Sequence, residues 1–160
     1  DPESFQVWEE IEQARAGDHD IHLLSNLHQV GAVQINAFQR MASVMVQKSI
    51  REGFGLTVSE ALWKGRPVVG GRAGGITLQI REGYDGFLVD SVEACAEKII
   101  HLLGDPDGSA AMGEQGREHV RENFLSTREL RDWLSLFGQL KSGAAIASPS
   151  KSYGFAPEKK

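Results

Sequence analysis

Apolar residues recur along this chain in two patterns, one typical of helices and one typical of buried strands. Short apolar runs at 21–24, 43–47, 67–70 and 86–89 predict four strands. Around these runs, apolar residues three or four positions apart predict helices. The predicted helices cover about 2–16, 29–41, 56–64, 76–80, 91–103, 106–123 and 127–140. The start signals include Asp90 with Glu93, and Ser126 with Glu129, at the spacing of a capping box.

The order of these elements predicts the fold class. Strands that alternate with helices pair in parallel, since a crossover helix joins each strand to the next. The strands are continuously apolar, as expected when helices cover both faces of the sheet. We therefore predict an α/β fold with a doubly wound parallel sheet. Ligands of such sheets bind beyond the carboxyl ends of the strands. The glycine-bearing loops at 53–55 and 70–75 both follow strands, so we expect them to line one crevice.

Composition and charge exclude several classes of protein. With 160 residues the chain is long enough for one ordinary domain, and the net charge of −5 argues against a general nucleic-acid partner. No apolar run approaches the ~20 residues of a membrane span, and no signal peptide is recognisable, so we expect a cytoplasmic protein without a membrane partner. The lone Cys95 is expected to be a buried apolar side chain. Residues 142–160 read as a disordered tail, which leaves 1–141 as the domain.

The chemistry of the chain is concentrated between residues 52 and 60. Glu52 and Glu60 stand eight positions apart, one in a loop and one in the helix that follows. Gly53 and Gly55 lack a Cβ, so the backbone can approach a ligand, and the helix N-terminus near Leu56 offers unpaired amides to a phosphate. On spacing alone, an ordinary strand–helix turn with an acidic first helical turn explains the pattern equally well.

A resemblance carried by the residue types favours the ligand-binding loop over an ordinary strand–helix turn. The run Glu-Gly-Phe-Gly-Leu-Thr-Val-Ser-Glu-Ala-Leu at 52–62 resembles the motif of family 4 retaining glycosyltransferases, in which two glutamates flank seven residues. The segments Gly65–Val69, Gly74–Gly75 and Gly83–Val89 match the same family in order, and the resemblance extends over about 2–140. It implies a Rossmann-like domain, the C-terminal half of a GT-B glycosyltransferase.

A narrower resemblance connects the chain with trehalose synthases and trehalose phosphorylases. It depends on Val46–Gly55, Ala61–Gly65 and Gly71–Ile76, and on Gln79 at a position where many other relatives carry glutamate. The implied reaction transfers glucose from a nucleoside-diphosphate glucose to glucose and forms trehalose. A trehalose phosphorylase, another family 4 enzyme and a non-catalytic truncated binding domain remain as alternatives.

The family resemblance also assigns roles to single residues. Glu52, the catalytic candidate, is implied to bind hydroxyls of the donor glucose, and Glu60 to hold the ribose. The remaining donor-binding positions would act mainly through their backbone; they are Gly53, Phe54, Gly55, Leu56, Thr57, Gly74 and Gly75. The nucleotide base is placed near Ser25-Asn26-Leu27 on position alone. No cofactor and no metal are expected, because the nucleotide sugar is a substrate and the histidines lack a metal-ligand spacing.

By the same resemblance, the domain lacks its first strand, and the acceptor sugar would bind a missing N-terminal domain. Either the chain is a fragment, or a homodimer or complementing chain supplies the rest, and we expect little transfer activity from this chain alone. Arg51 and Arg72 border the expected crevice and can offset phosphate charge. Trp8, Trp63 and Trp133 lie on apolar helical stripes and are expected in the core.

Overall fold

The computed structural model describes residues 2–25 and 28–142. The strands and helices fall close to the predicted segments. The strands are β1 Met45–Gln47, β2 Val68–Gly71 and β3 Gly86–Val89. The helices are α1 Pro2–Ala14, α2 Ala32–Met41, α3 Leu56–Trp63, α4 Ile76–Gln79, α5 Val92–Gly104, α6 Pro106–Asn123 and α7 Ser126–Ser142. Most of the predicted tail lies outside the described residues, and the predicted extent of the domain, 1–141, stays a prediction.

The chain divides into two compact units, residues 1–37 and 38–160. In the first, the indole of Trp8 stacks on the imidazole of His28 with ring centroids 5.4 Å apart. Arg15 donates from Nη1 to the carbonyl of Ile21 at 3.0 Å. The predicted strand at 21–24 is wrong, because these residues have no strand conformation. A strand needs a partner to satisfy its backbone groups, and none of the described residues supplies one here.

The second unit contains a three-stranded sheet in the order β1-β2-β3, with both pairs parallel. At the centre, Val69 of β2 aligns with Val46 on one side and with Phe87 on the other. The helices α3 and α4 lie in the two crossovers. Parallel strands end at the same edge of a sheet, so the loops after β1 and β2 both leave from that edge.

Helices cover both faces of this sheet, as the apolar strands predicted. Val68 packs with helices α3, α4 and α6, whereas its neighbour Val69 faces the other way, towards α5. The first core cluster comprises Val58, Ala61, Leu62, Val68, Ile76, Ile80 and Val120. The second comprises Val69, Phe87, Val89, Cys95 and Leu102, which confirms a buried Cys95. Three layers therefore hold the strand ends, and the loops after them, in place.

A fully buried carboxylate joins the turn before β3 to helix α6. Asp85 accepts hydrogen bonds from the backbone nitrogen of Arg81 at 2.6 Å and from its Nε at 2.7 Å. Nδ1 of His119 lies 2.8 Å from Oδ2 of Asp85, close but poorly directed for a hydrogen bond. Burial raises the pKa of Asp85, but the contacts with His119 and Arg81 outweigh it, and the net pKa is below the usual value.

Two expectations are wrong, namely that Asp90 caps α5 and that Trp63 and Trp133 lie in the core. The cap of α5 is Ser91, whose hydroxyl accepts from the Ala94 nitrogen at 3.1 Å, because Asp90 pairs instead with Arg72. Trp63 and Trp133 are 42% and 51% exposed, so the apolar stripes that carry them are not fully covered by the described residues. Within 2–25 and 28–142, every helix is too short or too polar to cross a bilayer.

Candidate functional site

The loop between β1 and α3 surrounds a carboxylate that the sequence singled out. Glu52 is half-buried, and its Oε1 accepts a hydrogen bond from the backbone nitrogen of Gly53 at 3.0 Å. Its other oxygen lies 3.3 Å from the hydroxyl of Ser49 and 3.4 Å from Nε2 of Gln47. Nε2 of Gln47 also donates to the hydroxyl of Ser49 at 2.9 Å. These contacts hold the carboxylate at the carboxyl end of β1, where a ligand of a parallel sheet is expected.

Helix α3 begins with a free set of amide donors. Its cap, Gly55, has a left-handed backbone with φ of 86° and ψ of 61°, a conformation that glycine adopts without steric cost. The first helical bond runs from the nitrogen of Val58 to the carbonyl of Gly55 at 3.0 Å. The amides of Leu56 and Thr57 precede that bond, and no side chain caps them. They form a site suited to an anion, where the helix dipole adds to the hydrogen bonds.

Glu60 lies one turn further along α3 and is exposed. Its Oε2 accepts a hydrogen bond of 2.9 Å from Nε2 of Gln39. Gln39, near the end of α2, is only 3% exposed. A buried amide therefore fixes one oxygen of an exposed carboxylate, which leaves acceptor capacity for a hydroxyl-bearing ligand.

The second glycine loop packs directly against the first. The nitrogen of Gly75 donates to the carbonyl of Gly53 at 2.8 Å. A Cβ on Gly74 would lie 1.7 Å from the carbonyl oxygen of Glu52, and one on Gly75 would lie 2.6 Å from that of Gly53. The two loops, which were expected to line one crevice, are in direct contact. The contact gives Gly74 and Gly75 a packing role, which the sequence alone did not separate from a ligand-binding role.

Gln79, the last residue of α4, contacts the backbone of both glycine loops. It is fully buried, and its Nε2 lies within hydrogen-bonding distance of the carbonyl oxygens of Phe54, Gly55 and Gly75, the last two at 3.4 Å. Its Oε1 is buried without a hydrogen-bond partner among the described residues. The donor side of this amide is thus turned towards the backbone of the site.

The flanking arginines differ from one another in what they contact. Nε of Arg72 is 3.2 Å from the carboxylate of Asp90, and Nη2 donates to the carbonyl of Leu88 at 3.4 Å. These contacts direct Arg72 to the end of β3. Arg51 is exposed beside Glu52. A groove of about 410 Å³ also borders the loop, between Phe54 and the junction of α6 with α7.

Eight of the nine predicted site residues belong to the two loops or the start of α3, and Glu60 follows in the same helix. Sequence reasoning missed the four polar side chains that contact this backbone or its carboxylates, namely Gln39, Gln47, Ser49 and Gln79. Their signal in the sequence is a polar residue inside or next to an apolar run. Of the predicted base-binding segment, residues 26 and 27 lie outside the described residues. No group of three metal-ligating side chains occurs in the described segments.

The assembled site can bind an anion and two hydroxyl-bearing groups. Backbone amides at the start of α3 suit a phosphate, while Glu52 and Glu60 supply carboxylate acceptors on either side of them. Catalysis at such a site depends on placing the reacting groups and on stabilising charge at the phosphate.

Comparison with known proteins places this arrangement in a family. The family model described as glycosyl transferases group 1 matches residues 8–119. A trehalose synthase of Rubrobacter xylanophilus is 54% identical over 140 residues, which cover 88% of this chain and 33% of that protein. A trehalose phosphorylase of Grifola frondosa is 36% identical over 104 residues, or 64% of this chain and 14% of that one. This chain thus spans about a third of the length of the trehalose synthase, and less of the phosphorylase.

The fold has solved counterparts. A sucrose-phosphate synthase from Thermosynechococcus elongatus superposes with a TM-score of 0.75 and 26% identity, covering 89% of this chain and 35% of that one. The predicted Rossmann-like fold of the GT-B class is confirmed by this likeness, together with the parallel sheet described above.

Proposed function

The chain belongs to the glycosyl transferases group 1, and we propose that it is the donor-binding part of a retaining enzyme that forms trehalose. In this proposal the enzyme takes glucose from a nucleoside-diphosphate glucose and transfers it to a second glucose. The resemblance to the trehalose synthase, at 54% identity over most of the chain, supports this choice of reaction.

One observation carries the proposal, namely the set of uncapped amides at the start of α3 between two held carboxylates. The diphosphate binds the amides of Leu56 and Thr57, where two negative charges meet the positive end of the helix. Glu52 accepts hydroxyls of the donor glucose, while Glu60, oriented by Gln39, accepts those of the ribose. The loop around Gly74 and Gly75 supports this backbone and borders the donor.

The proposed transfer balances without a cofactor. The bond between C1 of glucose and the diphosphate oxygen breaks, and a bond forms between C1 and a hydroxyl oxygen of the acceptor. The acceptor's proton leaves with the released diphosphate. The amides of α3 stabilise the charge that grows on the leaving group, and this differential stabilisation lowers the barrier. Glu52 contributes by fixing the sugar that carries C1.

The acceptor binds outside the described residues in this proposal. We expect little or no trehalose from this chain alone when it is mixed with nucleoside-diphosphate glucose and glucose, because an unplaced acceptor loses the advantage of proximity. A homodimer or a complementing chain would supply the acceptor site.

Calorimetry with ADP-glucose, GDP-glucose and UDP-glucose tests the donor site. We expect one or more to bind, and we expect Glu60→Ala to weaken that binding roughly 10-fold or more, since hydrogen bonds to charged groups are worth about 1.5–3 kcal/mol. Glu97→Ala, an equal loss of charge on the exposed side of α5, is the matched control. Absence of binding by the unchanged chain, or equal losses for both variants, would contradict the donor site.

The phosphorylase resemblance gives a second candidate reaction, in which phosphate and trehalose yield glucose and glucose 1-phosphate. That reaction uses no nucleotide, so Glu60 would have no ribose to hold. Binding of glucose 1-phosphate that is stronger than binding of any nucleotide sugar, and unchanged by Glu60→Ala, would favour the phosphorylase.

A further inference from the structure

The buried amide of Gln79 has a position that packing alone does not explain. Its Nε2 carries two hydrogens, and three backbone carbonyl oxygens lie within reach of them, those of Phe54, Gly55 and Gly75. Two of these belong to the turn that leads into α3, 24 and 25 residues away in the chain. The side chain therefore acts as a donor bridge between α4 and the backbone of the proposed donor site.

Peptide geometry extends the effect of this bridge beyond the carbonyls. No described peptide bond is cis, and in a trans peptide the C=O of one residue points opposite to the N–H of the next. Turning the carbonyl of Phe54 towards Gln79 therefore turns the amide of Gly55 away from it. The same holds for the carbonyl of Gly55 and the amide of Leu56. The amide of Leu56 is one of the two proposed above to bind the diphosphate, and the amide of Gly55 directly precedes it.

We propose that Gln79 is a positioning residue that aims the amides of Gly55 and Leu56 at the diphosphate of the donor. The inference depends on the proposed function for the identity of the ligand. Gln79 itself lies behind the turn and touches the ligand through no atom of its own, because its donor hydrogens are directed to the carbonyls.

In this chain the bridge requires a donor at position 79, so relatives that carry an ionised glutamate there cannot form it. A glutamate has nearly the same shape, but its carboxylate would face three carbonyl oxygens with a negative charge and no hydrogen to donate. Only the protonated acid could make one of the hydrogen bonds. In Gln79→Glu, the amides should therefore keep their orientation at low pH, where the acid is protonated, and lose it as the pH rises. In the unchanged chain, residue 79 should add no such pH dependence.

Titration of the full 160-residue chain with ADP, GDP and UDP at pH 5 and pH 8 provides the test. For whichever nucleotide the unchanged chain binds, we expect Gln79→Glu to lose roughly 10-fold or more in affinity at pH 8, equivalent to about one charge-assisted hydrogen bond. At pH 5 the loss should be smaller. Gln13→Glu makes the same substitution on the exposed side of α1 and should follow the unchanged chain at both values.

The outcomes separate the two proposals. If the unchanged chain binds none of the three nucleotides, the proposed function fails, whatever Gln79 does. If it binds and Gln79→Glu binds equally well at pH 8, or loses the same factor at both pH values, the positioning role is refuted. Circular dichroism of each variant at both values separates a loss of binding from a loss of fold.

A measurement on the unchanged chain covers the case in which the variant does not fold. The side-chain NH₂ of Gln79 should exchange with solvent deuterium far more slowly than that of the exposed Gln13, because it is buried and bonded to the turn. The backbone amide signals of Gly55 and Leu56 should also move on addition of the bound nucleotide. Fast exchange at Gln79, or signals of Gly55 and Leu56 that stay in place under saturating nucleotide, would overturn the inference.

Discussion

Substitution of Gly74 tests the contact between the two glycine loops most directly. A Cβ at this position would lie 1.7 Å from the carbonyl oxygen of Glu52, and the backbone has a φ of 46°. The left-handed conformation costs a residue other than glycine roughly 1–2 kcal/mol. Relief of the clash must push the loops apart, which removes the bond from Gly75 to Gly53, about 1 kcal/mol, and adds overpacking of about 1–3 kcal/mol. We expect Gly74→Ala to lower the free energy of unfolding by about 3–6 kcal/mol.

Two other glycines provide a matched series. Gly83 also has a left-handed backbone, with φ of 73°, but a Cβ there would meet nothing within 4 Å, so Gly83→Ala should cost only the conformational part. Gly104 has neither feature, and Gly104→Ala at the end of α5 should be neutral or stabilise by up to about 1 kcal/mol. Urea unfolding of the three variants measures the differences. If Gly74→Ala costs no more than Gly83→Ala, the loops are not packed as described.

Two further variants separate stability from binding. Asp85 has a lowered pKa in the folded chain, so its contribution to stability is present above its ordinary value of 3.8 and is lost as the pH falls through the lower, folded value. Asp85→Asn should therefore lower the free energy of unfolding by about 3 kcal/mol near neutral pH. Urea unfolding at pH 7 and pH 3 should show a smaller difference between the variant and the unchanged chain at pH 3. The same difference at both pH values would contradict this role of Asp85. Gly53→Ala should leave the free energy of unfolding within about 0.5 kcal/mol, since its Cβ would meet nothing within 4 Å, yet calorimetry should show weaker binding of the nucleotide sugar; a cost of several kcal/mol would place Gly53 with the packing glycines.

Much of the second unit was predictable because its signals are local. The strands around Val68 and Phe87 are apolar on both faces, which requires helices on both sides of the sheet, and both core clusters confirm it. Helix α6 begins after Asp105 as predicted, since the aspartate accepts from the nitrogen of Gly108 and proline follows it. In each case the residue that decides the structure is close in sequence to the structure it decides.

The errors arise where a residue depends on a distant partner. The run at 21–24 is as apolar as a strand, but a strand must pair with another strand, and these residues pair with no described strand. Trp133 follows a helical stripe, yet the stripe predicts only which side of α7 is apolar, not what covers it. Asp90 has the chemistry of a helix cap, but Arg72, which is 18 residues away, pairs with its carboxylate.

The candidate site also combines residues with local sequence signals and residues whose role depends on distant contacts. Its carboxylates and glycines were recognisable from a contiguous motif, while Gln39 and Gln79 reach it from other helices, and their sequence signal, a polar residue inside or next to an apolar run, does not say what they contact. The structure also divides the glycines by function. Gly74 and Gly75 have no room for a side chain because another loop fills that space, whereas the space beside Gly53 is open. Gly74 and Gly75 therefore serve the contact between the two loops, whereas Gly53, in the first of these loops, has room beside it for a ligand. In the proposed donor site, Gly53 is the position at which the sugar reaches the backbone, and the packed loops behind it keep that access in place.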